Sequence, residues 1–164
     1  MNRRLALAVL AAATVSLSTA VTAGEYKAGS VMVKEPWARV TLQNLPAGGY
    51  FMVHNMGDKA DRLVTVESEL AERAELHTHT MNDGVMQMRR VDGIDLPAKS
   101  QTQLKPGGYH VMLFGLKELV AKGGKIPLVL KFENAGELAI ELTVGAKPMG
   151  HGHGSMDHKH GSSN

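Results

Sequence analysis

The chain has 164 residues, no cysteine, ten methionines and eight histidines. Because cysteine is absent, disulfides, thiolate zinc sites and blue-copper sites are excluded. The formal net charge of +2 arises from 18 basic and 16 acidic residues, and it becomes zero if Arg3 and Arg4 are lost with the N-terminal segment. No basic face therefore indicates binding to nucleic acid or to an anionic membrane.

The first 23 residues have the pattern of a secretory signal peptide. Arg3 and Arg4 form its basic region, residues 5–13 its apolar region, and residues 21–23 (Val-Thr-Ala) a small-residue cleavage site. The apolar run is too short for a transmembrane helix. We therefore predict cleavage after Ala23 and an exported protein without a transmembrane anchor; a retained N-terminal anchor is the alternative.

Beyond the signal peptide, short runs of strand-forming residues are separated by turn residues. The predicted strands are 31–40, 50–54, 63–66, 76–80, 85–91, 109–114, 126–132 and 138–144. The last two alternate cleanly and form a terminal hairpin with one buried face. Asn-Asp-Gly at 82–84 lies in a second hairpin connection, residues 81–84. Strands at this spacing predict an all-β antiparallel sandwich or barrel.

Other segments are predicted to be irregular. We interpret residues 24–30 as a mobile leader, 67–75 as a loop or one helical turn, and 97–103 as a polar connection. Pro36 suits an edge strand or a bulge, and Trp37 a core anchor. The domain is expected to span 24–146, and the Gly/His/Met-rich residues 147–164 are expected to form a flexible tail, disordered without metal.

Imidazoles and thioethers recur in pairs two residues apart. These pairs are His77/His79, Met86/Met88 and His110/Met112. In a β-strand, residues i and i+2 point to the same face, so each pair would present two donors on one surface. Cu(I) is soft and favours thioether and imidazole ligands, and thioethers bind without losing a proton. The pattern therefore predicts a Cu(I) site.

Packing and other metals are the alternatives to this interpretation. A methionine on a strand commonly fills the core, which is our reading of Met32, Met52 and Met86, and His54 is interpreted as a hydrogen-bonded structural residue. Zinc would accept the histidines but gains little from methionine, and hard cations prefer oxygen ligands. We see no activated nucleophile, so an enzyme is not expected.

The spacing of four of these donors resembles a known family. His77, Met88, His110 and Met112 match the H-x10-M-x21-H-x-M signature of the periplasmic copper chaperones called PCu(A)C, or DUF461. The sequence around His110, Leu-Lys-Pro-Gly-Gly-Tyr-His-Val-Met-Leu, is also similar to that family. The resemblance covers about residues 31–144.

The resemblance implies a cupredoxin-like Greek-key β-sandwich, monomeric and periplasmic, that binds one Cu(I) through His77, Met88, His110 and Met112. It also implies delivery of copper to the dinuclear site of the copper-bearing subunit of cytochrome c oxidase, with a Sco-type copper protein as partner. His79, Met81 and Met86 are possible additional ligands. The tail residues expected to capture Cu(II) are Met149, His151, His153, Met156, His158 and His160. The alternative function is copper storage or tolerance.

Overall fold

The computed structural model describes residues 24–42 and 45–145, and all regular structure within these ranges is β-strand. The strands are β1 (Glu25–Ala28), β2 (Val31–Arg39), β3 (Ala47–Asn55), β4 (Asp61–Glu67), β5 (Ala71–Asn82), β6 (Val85–Arg90), β7 (Ile94–Leu96), β8 (Ser100–Leu104), β9 (His110–Leu116), β10 (Lys125–Phe132) and β11 (Glu137–Val144). In these two ranges, no helix has the length and apolarity to cross a membrane. The predicted signal peptide (1–23) and the predicted tail (147–164) lie outside the described residues.

The strands form one continuous sheet in the order β6-β5-β9-β3-β2-β11-β10-β4-β7, with β1 paired to β2 and β8 paired to β3. Neighbours that are distant in sequence, such as β5 and β9, require the crossovers of a Greek key. β2 and β11 pair in parallel, and the other pairs are antiparallel. The prediction of an all-β fold is thus confirmed, but the expectation of a purely antiparallel sheet was wrong at this one junction.

The sheet folds over one apolar core, to which alternate residues of most strands contribute. On β10 and β11, every second residue is buried, and Ile126, Leu130 and Leu142 are fully enclosed. The terminal hairpin predicted from this alternation is therefore confirmed. Because β3 also alternates, Phe51 and Val53 join the core, whereas the side chains of Met52 and His54 lie on the outer face.

Three segments that the sequence analysis interpreted as irregular contain strands. Residues 25–28 are strand β1 rather than a mobile leader, held on β2 with an ion pair of 2.9 Å between Glu25 and Lys34. Strand β5 begins at Ala71, inside the segment interpreted as a loop or helical turn, because it pairs with β9 from that residue onward. The polar segment 97–103 includes most of β8, which pairs with β3. In each case pairing with a neighbouring strand of the sheet overrides weak local propensity.

Strand β2 contains the bulge that Pro36 suggested. Between Lys34 and Trp37 the register against β3 shifts by one residue, and Glu35 has a φ of +50°. A bulge reverses the inside-outside alternation of the residues that follow it. Trp37 therefore packs on the outer face against Tyr50, with ring centroids 4.4 Å apart, and is not a member of the core cluster. Trp37 is thus buried, as a core anchor should be, but it packs outside the main core cluster.

Candidate metal centre

The hairpin of β5 and β6 is closed by a two-residue turn. Asp83 and Gly84 both have positive φ, +48° and +78°, and Asn82 pairs with Val85. This backbone suits a type I′ turn, which Asp-Gly favours because glycine adopts positive φ without a steric penalty. The hairpin prediction is confirmed, and its turn is two residues shorter than the predicted connection of four residues, 81–84.

Strand β5 lies between β6 and β9, and its register aligns their His and Met residues. On β5 and β6, His79 pairs with Met88 and Met81 with Met86; on β5 and β9, His77 pairs with His110. With the alternation of side chains along each strand, all seven donors predicted within the domain lie on one outer face of the sheet. They are His77, His79, Met81, Met86, Met88, His110 and Met112.

The three imidazoles form a compact group. The ring of His110 is stacked on that of His79, with centroids 5.0 Å apart, and lies 6.0 Å from the ring of His77. His79 therefore occupies the middle of the face, between His110 and Met88. The sequence analysis gave His79 only as a possible additional ligand, whereas its position is as central as that of the four signature residues.

Burial and a hydrogen bond orient His110. His110 is only 2% exposed, and its Nδ1 donates a hydrogen bond to the carbonyl oxygen of Gly108 at 2.8 Å. This hydrogen bond requires the proton on Nδ1, which leaves the lone pair of Nε2 available to a metal. Burial lowers the pKa of His110, so the imidazole stays neutral, the form that binds a metal.

A carboxylate orients His77. Its Nε2 lies 2.8 Å from Oε2 of Glu75, whose other oxygen is 2.9 Å from Nε of Arg73. The hydrogen bond from His77 lowers the pKa of Glu75, with further lowering by Arg73 and Arg90, so this carboxylate remains charged. A charged Glu75 accepts a hydrogen bond from Nε2–H, so the lone pair of Nδ1 of His77 is the one available to a metal. Carboxylate–histidine pairs of this kind orient metal ligands in many proteins.

Two buried nitrogens on this face have no hydrogen-bond partner. They are Nδ1 of His77 and Nδ1 of His79. Buried polar atoms without a partner are uncommon and require an explanation, of which an absent ion is one. Within residues 24–42 and 45–145, no three His, Cys, Asp or Glu side chains form a metal-binding group. The thioethers of Met88 and Met112 lie on the same face as these nitrogens, and a set of imidazoles and thioethers suits a soft ion such as Cu(I).

The four methionine side chains of this face differ in solvent exposure, from half-buried to mostly exposed. Met112 is half-buried, whereas Met88 is 47% exposed and Met86 and Met81 are more exposed still. Met112 pairs with Glu75 on one side and with Gly48 of β3 on the other. The site is thus closed at its histidine end and open to solvent along β6, every residue of which is exposed.

An aromatic pair that the sequence analysis did not associate with the site borders it. The ring of Tyr50 lies 6.3 Å from that of His110 and packs, tilted, against the ring of Trp37. Burial raises the pKa of Tyr50, so its hydroxyl remains protonated. The interruption of the strand pattern at Glu35-Pro36 was the sequence signal for this aromatic pair. The bulge at these residues brings Trp37 onto the outer face.

The chain is similar in sequence to a protein family and to individual proteins. The family model described as "Putative lipoprotein LpqE-like" matches residues 31–144. A relative called "Putative lipoprotein Lxx21020", from Leifsonia xyli, is 30% identical over 128 residues, which cover 77% of this chain and 76% of the relative.

Two solved structures are similar to the chain. The copper-bound PCuAC domain from PmoF2 is 32% identical, with a TM-score of 0.64, and the match covers 74% of this chain and 97% of that domain. The solution structure of Cu(I)-bound DR1885 from Deinococcus radiodurans is 25% identical, with a TM-score of 0.58, covering 77% of this chain and 83% of that protein. These matches confirm the predicted fold, a cupredoxin-like Greek-key β-sandwich. The predicted tail ligands, from Met149 to His160, lie outside the described residues.

Proposed function

Because the chain belongs to the LpqE-like family, matched over residues 31–144, we propose that it is a copper chaperone of the periplasm. In this proposal it binds one Cu(I) through His77, Met88, His110 and Met112, with His79 as a further ligand. Two kinds of relative support the proposal: a family of lipoproteins, which act outside the cytoplasm, and the copper-bound structures of a PCuAC domain and of DR1885.

One observation carries the proposal. Nδ1 of His77 and Nδ1 of His79 are buried without hydrogen-bond partners, on the face that also presents Met88 and Met112. An imidazole binds a metal through a ring nitrogen in its neutral form, and thioethers are neutral at every pH. A site of neutral nitrogen and sulfur ligands suits Cu(I) better than it suits zinc or a hard cation.

The graded exposure of the ligands supports release as well as binding. His110 is buried and held by Gly108, whereas Met88 is on an exposed edge strand. An incoming thiolate would displace Met88 first, because that bond is weak and open to solvent, and the buried imidazole last. Ligands would therefore be exchanged one at a time, and copper would not be released into solution.

We further propose a target for the copper and a role for the tail. Thiolates of a Sco-type protein or of the dinuclear copper site of cytochrome c oxidase are soft acceptors that could take Cu(I) from the exposed methionines of β6. The histidines between 151 and 160 suit Cu(II), so the tail would capture the oxidised ion and supply it to the domain.

The test is an anaerobic Cu(I) titration against a chromogenic Cu(I) chelator. It compares the chain truncated after residue 146 with the same truncation carrying Met88→Ala and His110→Ala. A control carries Thr78→Ala and Gln87→Ala, which lie on the opposite face of the same hairpin. One tightly bound Cu(I) in the parent and control, lost in the double variant, is the expected result. Equal and weak binding by all three proteins would overturn the proposal.

Storage or tolerance is the second candidate, and the composition of the tail favours it. Four of the eight histidines lie in the last fourteen residues, a density that suits several weakly bound ions. The number of ions distinguishes the two functions, since a chaperone should bind one or two and a storage protein several. Measuring bound copper in the full exported chain and in the truncated chain separates these outcomes.

A further inference from the structure

We infer that the outer face of β2 and β3 carries a second site for a soft monovalent metal ion, formed by Met52, His54 and Met32. These residues are separate from the candidate centre on β5, β6 and β9. The sequence analysis interpreted all three as packing or structural residues. The inference goes beyond the proposed function, because it concerns different ligands and a different part of the sheet.

The first observation is a close approach of two donor atoms. Nε2 of His54 lies 3.0 Å from Sδ of Met52, two residues away on the same face of β3. Metal–nitrogen and metal–sulfur bonds are about 2.0 and 2.3 Å long, as at zinc, so two ligands of one ion lie roughly 3–4 Å apart. The nitrogen and the sulfur thus already lie near the separation that a bound ion requires. In the metal-free protein, Nε2 would donate to the sulfur, and binding would require the tautomer with the proton on Nδ1.

The second observation supplies a third ligand. Met32 of β2 pairs directly with His54 across the strands, so their side chains are neighbours on one face. Met32 is only 8% exposed, yet it does not belong to the core cluster, unlike Val31 and Val33 on either side of it. Its thioether is therefore buried on the outer face, beside His54. One imidazole and two thioethers form a three-coordinate set that suits Cu(I) or Ag(I).

Charge and access are compatible with a cation at this position. Lys34, opposite Met52, is paired with Glu25 at 2.9 Å, so its charge is balanced locally. Lys27 lies opposite Met32 and would weaken the site, which is therefore expected to bind less tightly than the first. An open groove lined by His54, Lys99 and Gln101 gives the ion a path from solvent.

The two sites are spatially distinct. Gly48 pairs with Met112 of the candidate centre, and His54 lies six residues further along β3, about 20 Å away at a rise of 3.4 Å per residue. Tyr50 and Trp37 lie on the same face between them. One domain would therefore carry two ions on one face, and the two sites can be tested independently.

The test uses Ag(I) as a diamagnetic probe of Cu(I) sites and NMR of the full exported chain labelled with carbon-13 in its methionine methyl groups. We expect the first equivalent of Ag(I) to shift the methyl signals of Met88 and Met112. Further Ag(I) should shift the methyl signals of Met52 and Met32 until the second site is saturated. His54→Ala should weaken the second process at least tenfold. Met56→Leu, a change at an exposed methionine nearby, should leave it unaltered.

Two results would overturn the inference. One is a Met52 methyl signal that does not move with up to four equivalents of Ag(I), which would leave the His54–Met52 contact as a hydrogen bond only. The other is a shift that persists unchanged in His54→Ala. In a His110→Ala variant the shifts of Met88 and Met112 should be lost while that of Met52 remains, so failure of this site is distinguishable from failure of the proposed function.

Discussion

His79 lies directly opposite Met88 across the β5–β6 hairpin, and His77 lies opposite Arg90. The signature residues His77 and Met88 are therefore diagonal neighbours rather than a direct pair. His79 occupies the position between them and stacks on His110. This arrangement makes His79 a principal candidate ligand and leads to the first prediction.

Replacing His79 by Ala should weaken Cu(I) binding by about 100-fold, as expected for the loss of a ligand or of a group that orients one. The measurement is competition with a chromogenic chelator under anaerobic conditions. Thr78→Ala, one residue away and on the opposite face, is the matched control and should bind as the parent does. If His79→Ala behaved like this control, His79 would be a neighbour of the site without a role in it.

Replacing Glu75 by Ala should weaken Cu(I) binding by about tenfold, less than the loss of His77 itself. Without the carboxylate, His77 is free to rotate and to change tautomer, so less of the population presents Nδ1 to the metal. Glu75→Gln retains a hydrogen-bond acceptor and should recover part of the affinity. Glu72→Ala, at an exposed position on the same strand, serves as the control. An effect of Glu75→Ala equal to that of Glu72→Ala would contradict the positioning role.

The metal-free protein should lose stability as the pH falls below 6.5. Burial lowers the pKa of His110 in the folded state, so near and below the ordinary value of 6.5 the unfolded chain binds more protons than the folded one. The free energy of unfolding then decreases with decreasing pH, and the contribution is fully present above 6.5. Urea unfolding between pH 7.5 and 5 measures this slope.

The slope should be smaller in His110→Gln, because the substituted residue cannot take up a proton. Tyr109→Ala, at the adjacent exposed residue, should retain the slope of the parent even if its absolute stability differs. An identical slope in His110→Gln would assign the pH dependence to other groups.

Replacing Gly84 by Ala should loosen the β5–β6 hairpin. Gly84 has a φ of +78° with open space around it, so an added Cβ meets no clash and the cost of about 1 kcal/mol comes from the backbone conformation. Hydrogen exchange of residues 85–90 should accelerate, and Cu(I) binding should weaken severalfold. Gly136→Ala imposes the same strain in the β10–β11 turn, at φ +83°, and should not affect exchange in β6. Equal exchange rates in β6 for Gly84→Ala and the parent would show that the turn does not control this strand.

The sequence was informative where local patterns decide structure. The alternation of 126–132 and 138–144 predicted the terminal hairpin, and the i, i+2 spacing predicted that each His or Met pair shares a face. The exact partners depended on the turn. A four-residue connection at 81–84 would pair His77 with Met88, whereas the observed two-residue turn at Asp83-Gly84 moves the register by two residues and pairs His79 with Met88.

Features set by pairing between strands could not be predicted in this way. Strands β1 and β8 are short and polar, and they exist because β2 and β3 offer free edges to them. The convergence of Met32, Met52 and His54 likewise depends on which strand lies beside β3. No local pattern connects Met32 to His54, which are 22 positions apart in sequence and directly paired in the sheet.

The bulge in β2 has a practical consequence. Trp37 is the one tryptophan of the chain, and the bulge places it on Tyr50, whose ring adjoins that of His110. Its fluorescence therefore originates beside the candidate copper ligands rather than from the main core cluster. Metal binding at either proposed site of this face should change the intensity of that emission, so the unlabelled protein would contain its own optical sensor for loading, competition and transfer.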